Sequence, residues 1–357
     1  MSDEEGPQRR CSACGSQVPW ANMFCGACGT RLPPAGQEAE DALIGQVIDN
    51  RFRIVRLLGS GGMGAIYLAE HVGIGKRVAI KLLRADLRGQ PKLVGRFRRE
   101  AMAVSKLTDL HTITVFDFGV WQGLVYLVME YLQGRDLARE LAAEGRLSVE
   151  RTLHIAHQIC SSLAEAHAVG VVHRDLKPEN VFLTRTTSGD ELVKVLDFGL
   201  AKILAPEAQQ AEGLFQTQDG ALLGTPYFMS PEQVRGDEVD SRSDLYSLGA
   251  LMYRMLAGRV PFPGKGAIEV LEAHLSAELP PFAEVAPEAG IPAEVEALVR
   301  HLMARDHTER PPTALAVDDR IALLLGNAAE LPEAPPVVEA AAPVAEPAPT
   351  PAVQKPR

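Results

Sequence analysis

No stretch of the 357-residue chain approaches the ~20 consecutive apolar residues that a bilayer-crossing helix needs. The first residues, Met1 to Arg10, are charged and lack the apolar segment of a secretory leader, so a cytoplasmic protein is the expectation. Positive charge is not in surplus: 36 Lys and Arg stand against 46 Asp and Glu, a net charge of -10. That balance argues against general nucleic-acid binding, which needs a basic footprint. Cysteine is scarce beyond the N-terminus. Four of the five cysteines fall within residues 11–28 and Cys160 stands alone, which excludes a disulfide framework spread over a secreted domain. Residues 328–357 lack the large apolar side chains that offset ordering entropy. This Ala, Pro, Glu and Val stretch is expected to be disordered, and its recurring prolines oppose a helix.

The remainder divides into three pieces: a cysteine module at 11–32, a linker at 33–51 opening with Pro33-Pro34, and a large domain at 52–325. Hydrophobic residues make up 46% of the chain, enough for a large core. Phe52 to Leu58, Val78 to Leu82 and Leu124 to Glu130 read as strands, and Phe97 to Leu107 as a helix. From Ser148 helices dominate. Leu153, Ala156, Ile159, Leu163 and Ala166 recur at helical spacing, and Leu245 to Leu256 is apolar on most sides and expected to be buried. A strand-rich first part and a helix-rich second part predict two unequal lobes with a cleft between them.

The chemistry is concentrated in His173-Arg174-Asp175-Leu176-Lys177-Pro178-Glu179-Asn180. An aspartate there can accept the proton of an attacking hydroxyl, a lysine two residues on can neutralise a transferring phosphoryl group, and the amide oxygen of Asn180 can hold a hard cation. Asp197-Phe198-Gly199 begins 22 residues after Asp175, behind an apolar run. Upstream, Gly59-Ser60-Gly61-Gly62-Met63-Gly64 fits G-x-G-x-x-G, a pattern shared with dinucleotide-binding turns. There the glycines open a helix; here Ala65 to Ala69 continues as a strand, which implies a hairpin whose backbone can approach phosphates.

These motifs resemble those of protein kinases. The resemblance extends over roughly 270 residues and includes Val78-Ala79-Ile80-Lys81 and Gly224-Thr225-Pro226 through Ser230-Pro231-Glu232, with serine where the family usually has alanine. Lys177 within Leu-Lys-Pro-Glu-Asn and Thr225 within Gly-Thr-Pro are similar to serine/threonine kinases, and Met63-Gly64 with Ser230-Pro231-Glu232-Gln233 to the bacterial Hanks-type subgroup. The resemblance implies an α+β bilobal fold, with a small β-rich lobe and a larger helical lobe. It implies an ATP- and magnesium-dependent enzyme acting on protein substrates.

By the same resemblance Asp175 is the catalytic base and Lys177 stabilises the γ-phosphoryl oxygens. Asn180 and Asp197 hold magnesium. ATP is met by Leu58, Gly59, Ser60, Gly61, Gly62, Met63, Gly64, Ile66, Lys81, Glu130 and Leu132, with Met129 at the back of the pocket and Lys81 paired to Glu100. Asp136 has two open readings, a contact to the ribose or a helix cap. Glu232 pairs with Arg310 to brace the large lobe, and Asp244 supports the catalytic loop. Arg174 calls for an anion; autophosphorylated Thr217 would supply it, or Asp219 would serve already. A second Asp-Phe-Gly, at Asp117-Phe118-Gly119, lies in a strand of the small lobe and is assigned a structural part. Asp109-Leu110-His111 departs from the family's usual His-Pro-Asn, which puts local packing in question.

Cys11-Ser12-Ala13-Cys14-Gly15 and Cys25-Gly26-Ala27-Cys28-Gly29 form two C-x-x-C-G knuckles. Four thiolates suit a structural Zn²⁺, and the module is similar to small zinc ribbons; a redox pair is the rival. With so few apolar residues it should need metal to fold. Its target is open: a partner protein, the kinase domain or nucleic acid. Against the kinase reading stand a pseudokinase scaffold, a zinc-ribbon-directed regulatory binding protein and a small-molecule kinase sharing the fold.

Overall fold

The computed structural model describes residues 8–10, 17–19, 43–61, 64–86, 95, 101–198 and 226–328. Glu100, Gly62, Met63, Gly199, Thr217, the four N-terminal cysteines and the C-terminal tail lie outside the described residues.

Two short antiparallel strands open the chain, β1 (Gln8–Arg10) and β2 (Gln17–Pro19), with Arg10 opposite Gln17. The small lobe is a six-stranded sheet in the order β3-β4-β5-β6-β8-β7. Its strands are β3 (Val47–Ile48), β4 (Phe52–Gly61), β5 (Gly64–His71), β6 (Arg77–Asp86), β7 (Val115–Trp121) and β8 (Leu124–Glu130). Every neighbouring pair is antiparallel. Ile48, Phe52, Ile54, Tyr67, Ile80 and Val128 form the core beneath it.

This corrects the reading of 33–51 as linker over 43–51; residues 33–42 lie outside the described residues. Leu43 packs on that core, Val47 and Ile48 pair with Arg53 and Phe52, and Ile48 is fully buried. A two-residue strand leaves no periodic signature, so only its partner reveals it. The expected helix over 97–107 is helical at 101–104 among its described residues, with Ala101 and Val104 buried.

The large lobe begins with β9 (Arg135–Asp136) and α1 (Leu137–Glu144), then α2 (Val149–Ala168), the strands β10 (Val181–Arg185) and β11 (Glu191–Val195), and, among the described residues, six further helices. These are α3 (Pro231–Arg235), α4 (Ser241–Ala257), α5 (Ala267–Ser276), α6 (Phe282–Val285), α7 (Ala293–Leu302) and α8 (Ala314–Ala328). Helix α2 starts where the Ser148 hydroxyl accepts the Arg151 N–H, and its buried stripe of Leu153, Ala156, Ile159, Leu163 and Ala166 follows the expected spacing. Each such Leu or Ile contributes about 1.5–3 kcal/mol by leaving water, and Ile159→Ala would cost about 2–5 kcal/mol. Helix α4 is buried from Ser243 through Tyr253, as its all-round apolar sequence requires. It packs on α2 and α7, while α8 covers the other flank of α2 and runs three residues past the expected domain end at 325. The hairpin of β10 and β11 holds the catalytic segment between the lobes, because that segment links α2 to β10 and Asp197 lies two residues past β11.

Candidate active site

Two backbone N–H groups decide where the catalytic segment lies. Those of His173 and Arg174 each donate to the fully buried Asp244 carboxylate at 2.8 Å, and His167 Nε2 donates to it at 2.7 Å. Asp244 thus supports the segment from α4, as expected. The buried His173 ring ties the segment to the other motif. Its Nε2 is 2.7 Å from the Leu196 carbonyl, which can only accept, so Nε2 carries the proton. Nδ1 is then the acceptor for the Asp175 N–H at 3.2 Å. The Phe198 ring meets the His173 ring edge-on, with centroids 4.7 Å apart. Arg174 and Asp197 hold φ angles of 66° and 60°. Such left-handed positions cost about 1–2 kcal/mol for residues with a Cβ, and these bonds hold them there.

On this frame Lys177 Nζ donates to Asp175 Oδ2 at 2.7 Å, and Asn180 Nδ2 donates to the Asp175 backbone carbonyl at 2.7 Å and to its Oδ2 at 3.1 Å. From the small lobe Lys81, only 6% exposed, places Nζ 2.6 Å from Asp197 Oδ2. Lys81 therefore bonds to Asp197; Glu100, its expected partner, lies outside the described residues. Lys81 reaches its place because it stands opposite Ile66 on β5 and Leu127 on β8.

Beside this polar group lies a small apolar cluster. Ala79, Ile113 and Met129 are buried, and Leu58, Ile66, Leu132 and Leu196 pack against them. Leu58, Ile66, Met129 and Leu132 of this cluster were expected from the sequence beside the nucleotide; Ala79, Ile113 and Leu196 were missed. Two of the three carried a signal, Ala79 two residues before Lys81 and Leu196 directly before Asp197. Above the cluster β4 and β5 form a hairpin with Gly61 opposite Gly64, as the glycine pattern predicts. Gly64 has φ 149°, and a Cβ there would run into the Leu82 carbonyl oxygen.

The sequence matches the family described as the protein kinase domain over residues 52–320. The chain belongs to that family. It is 39% identical over 277 residues to the serine/threonine-protein kinase pkn3 of Myxococcus xanthus, covering 77% of this chain and 50% of that protein. It is 36% identical over 296 residues to the serine/threonine-protein kinase PknB of Mycobacterium tuberculosis, covering 82% of this chain and 45% of that one. The chain therefore spans half or less of the length of these relatives. The crystal structure of the Mycobacterium tuberculosis PknI kinase domain superposes with a TM-score of 0.59 at 25% identity, covering 78% of this chain and 98% of that one. The domain is thus a protein kinase domain of the bacterial serine/threonine type, with a sheet-built small lobe and a helical large lobe.

Other expected positions of the kinase domain fall as follows. Glu232 and Arg310 meet at 2.7 and 2.9 Å, both buried. Burial by itself would push the Glu232 carboxyl up; hydrogen bonds from Arg310 and Ser243 outweigh it and hold the pKa at about 2. Asp136 caps α1: Oδ1 accepts the Arg139 N–H at 2.8 Å, and Oδ2 pairs with the Arg139 guanidinium at 3.2 Å. Of its two readings the cap is the one seen. Glu130 directs its carboxylate away from nucleotide chemistry, to Lys194 Nζ and the Thr114 N–H, both at 2.8 Å. Only its backbone is left for a nucleotide.

The second Asp-Phe-Gly is structural in detail. Asp117 pairs with Arg51, and a Cβ at Gly119 would lie 2.6 Å from the Tyr126 hydroxyl, which donates to Asp49. In Asp109-Leu110-His111 the Leu110 side chain is exposed, and hydrogen bonds hold its two neighbours. Asp109 accepts the His111 N–H and the Ser161 hydroxyl, each at 2.7 Å, while Glu165 takes the N–H groups of Thr108 and Asp109. Gln233 was missed. It forms a capping box with Ser230 and donates to the Arg174 carbonyl at 2.7 Å, tying the Ser-Pro-Glu segment to the catalytic loop. The Ser-x-x-Gln spacing was a signal for the box but not for its reach to Arg174.

Proposed function

We propose that this chain is an active serine/threonine protein kinase, transferring the γ-phosphoryl group of ATP to hydroxyls of protein substrates, its own included, in bacterial signalling. The observation that carries the reading is the joining of Asp175, Lys177 and Asn180 in one bonded loop, beside a Lys81–Asp197 pair and the apolar cluster around Ala79, Ile113 and Met129. The adenine lies against that cluster, its edge meeting the peptide groups of residues 130–132. The N–H groups of the glycine hairpin cradle the phosphates, and Lys81 meets their oxygens.

Asp175 orients the substrate hydroxyl and takes its proton late. The hydroxyl oxygen bonds to the γ-phosphorus, the bond from that phosphorus to the bridging oxygen breaks, and ADP leaves. Lys177, on the same carboxylate, stabilises the transferring oxygens. Asp197 and Asn180 offer a carboxylate and an amide oxygen, hard donors suited to magnesium. Asn180 Nδ2 is committed to Asp175, which leaves Oδ1 for the cation. Bound magnesium supplies charge neutralisation across the phosphates.

Two further assignments belong to this proposal. Cys11-Ser12-Ala13-Cys14 and Cys25-Gly26-Ala27-Cys28 are the two knuckles of a four-thiolate site. Cys25 and Cys28 complete a structural zinc site, a ribbon available to a partner protein. Metal-bound thiolates suit a reducing, cytoplasmic setting. Arg174 is the receptor for phosphorylated Thr217, because its buried Nε has no hydrogen-bond partner among the described residues.

The test is transfer from radiolabelled ATP by wild type and Asp175→Asn. The variant is expected to fold and to lose ~10³-fold or more in rate. Wild-type turnover in the variant, contaminating kinase excluded, would overturn the assignment. Nucleotide binding without transfer by the wild type would make the chain a pseudokinase scaffold.

A further inference from the structure

Lys194 is a buried charge for which the mechanism above has no use. It lies on β11 three residues before Asp197 and is 6% exposed. A lysine is kept there only if its charge and its donors are answered. They are: Nζ lies 2.8 Å from Glu130 Oε1 and donates to the Thr112 carbonyl at 3.2 Å. Glu130, the last residue of β8, also accepts the Thr114 N–H through Oε1 at 2.8 Å, and its own N–H donates to the Thr114 carbonyl at 3.0 Å. Two of these segments, 111–113 and β11, are stitched together again nearby. Ile113 N–H donates to the Val195 carbonyl at 3.0 Å, and Val195 N–H to the His111 carbonyl at 2.7 Å.

These segments carry two things that must stay in register. Ile113, Met129, Leu132 and Leu196 belong to the apolar cluster, while Asp197 stands two residues beyond the end of β11. One end of a nucleotide would meet the first group and the other end the second. From this we infer that Lys194 is a positioning residue: its pair with Glu130 sets the spacing between the apolar cluster and the Asp197 carboxylate, so it governs ligands that span both. The inference rests on the nucleotide-binding reading above.

It makes a prediction that a general packing role does not. Adenosine touches only the cluster, whereas ATP also reaches the Asp197 end. Lys194→Met keeps length and apolar stem but removes the charge and both donations. Equilibrium titration calorimetry with magnesium and ATP, and separately with adenosine, reads the difference without any turnover. The expected result is ATP affinity about tenfold weaker, with adenosine affinity within about twofold of wild type. Glu130→Gln keeps an Oε1 acceptor for both donors and should fold even if Lys194→Met does not. It is expected to weaken ATP about threefold, again sparing adenosine. Lys194→Arg, which restores charge and donors, should recover most of the ATP affinity. An unchanged ratio of ATP to adenosine affinity in both Lys194→Met and Glu130→Gln overturns the inference, whether affinities are wild-type or equally reduced. A wild type that binds both ligands but transfers no phosphate would sink the enzyme reading and leave this test intact.

Discussion

Glu232→Gln should cost this domain more than any substitution of comparable size on its surface. The Glu232 carboxylate receives both terminal nitrogens of Arg310, at 2.7 and 2.9 Å, and the Ser243 hydroxyl. The guanidinium also donates to the carbonyls of Ala304, Arg242 and Arg305, and lies 4.9 Å from the centre of the Tyr246 ring. Side-chain exposure is 0% for Arg310 and 6% for Glu232, so solvent cannot take over when the negative charge is removed. Leaving one member of a buried pair uncompensated costs about 3–5 kcal/mol. The same contacts depress the pKa of Glu232. Its pKa falls from 4.5 to about 2 on folding, which corresponds to about 3 kcal/mol. Because the folded value is depressed, that stability is present in full above the unfolded pKa of 4.5 and is lost as pH falls through 2.

Thermal melting followed at 222 nm tests both estimates. At ~2–4 °C per kcal/mol, Glu232→Gln should melt roughly 6–12 °C below wild type at pH 7. The gap should narrow as pH falls below 4.5, since the wild type then loses what the variant never had. Glu232→Leu with Arg310→Met should recover much of the loss, because an apolar pair avoids the stranded charge. A Glu232→Gln melt within 1–2 °C of wild type at pH 7 (on the ~2–4 °C scale above), or a gap that does not change with acid, would refute the reasoning.

Three further outcomes are open to measurement. Purified protein should carry about one zinc per chain by elemental analysis, and Cys11→Ser with Cys14→Ser should release it while the kinase domain stays folded; iron or no metal would count against the site. Gly64→Ala should weaken ATP binding and lower the melting temperature, since φ 149° and the Leu82 carbonyl leave no room for a methyl group, a strain on the order of 1–3 kcal/mol; unchanged ATP affinity would mean that the hairpin does not cradle phosphates. Incubation with ATP should phosphorylate Thr217, adding about two negative charges opposite Arg174, and Thr217→Ala should be less active; full activity of that variant with no phosphate on its peptide would favour Asp219 as the anion.

The sequence by itself determined the features whose chemistry is local. Asp175, Lys177 and Asn180 lie within six residues, so their co-operation could be read from spacing, and the structure bonds them to one another. Glycines at 59–64 followed by strand-forming residues specified a hairpin, and the 3.6-residue stripe of α2 specified its buried face. Tertiary structure decided the partners. Lys81 meets Asp197 across 116 residues, Lys194 meets Glu130 across 64, and Arg51 claims the second Asp-Phe-Gly across 66. Periodicity reports that a face is buried but not what covers it, and a carboxylate has the same letter whether it caps a helix, as Asp136 does, or waits for a ribose. The edge strand at Val47–Ile48 was illegible for the same reason. Two residues have no period, and only the neighbouring strand with its row of unpaired N–H and C=O groups makes them part of the sheet.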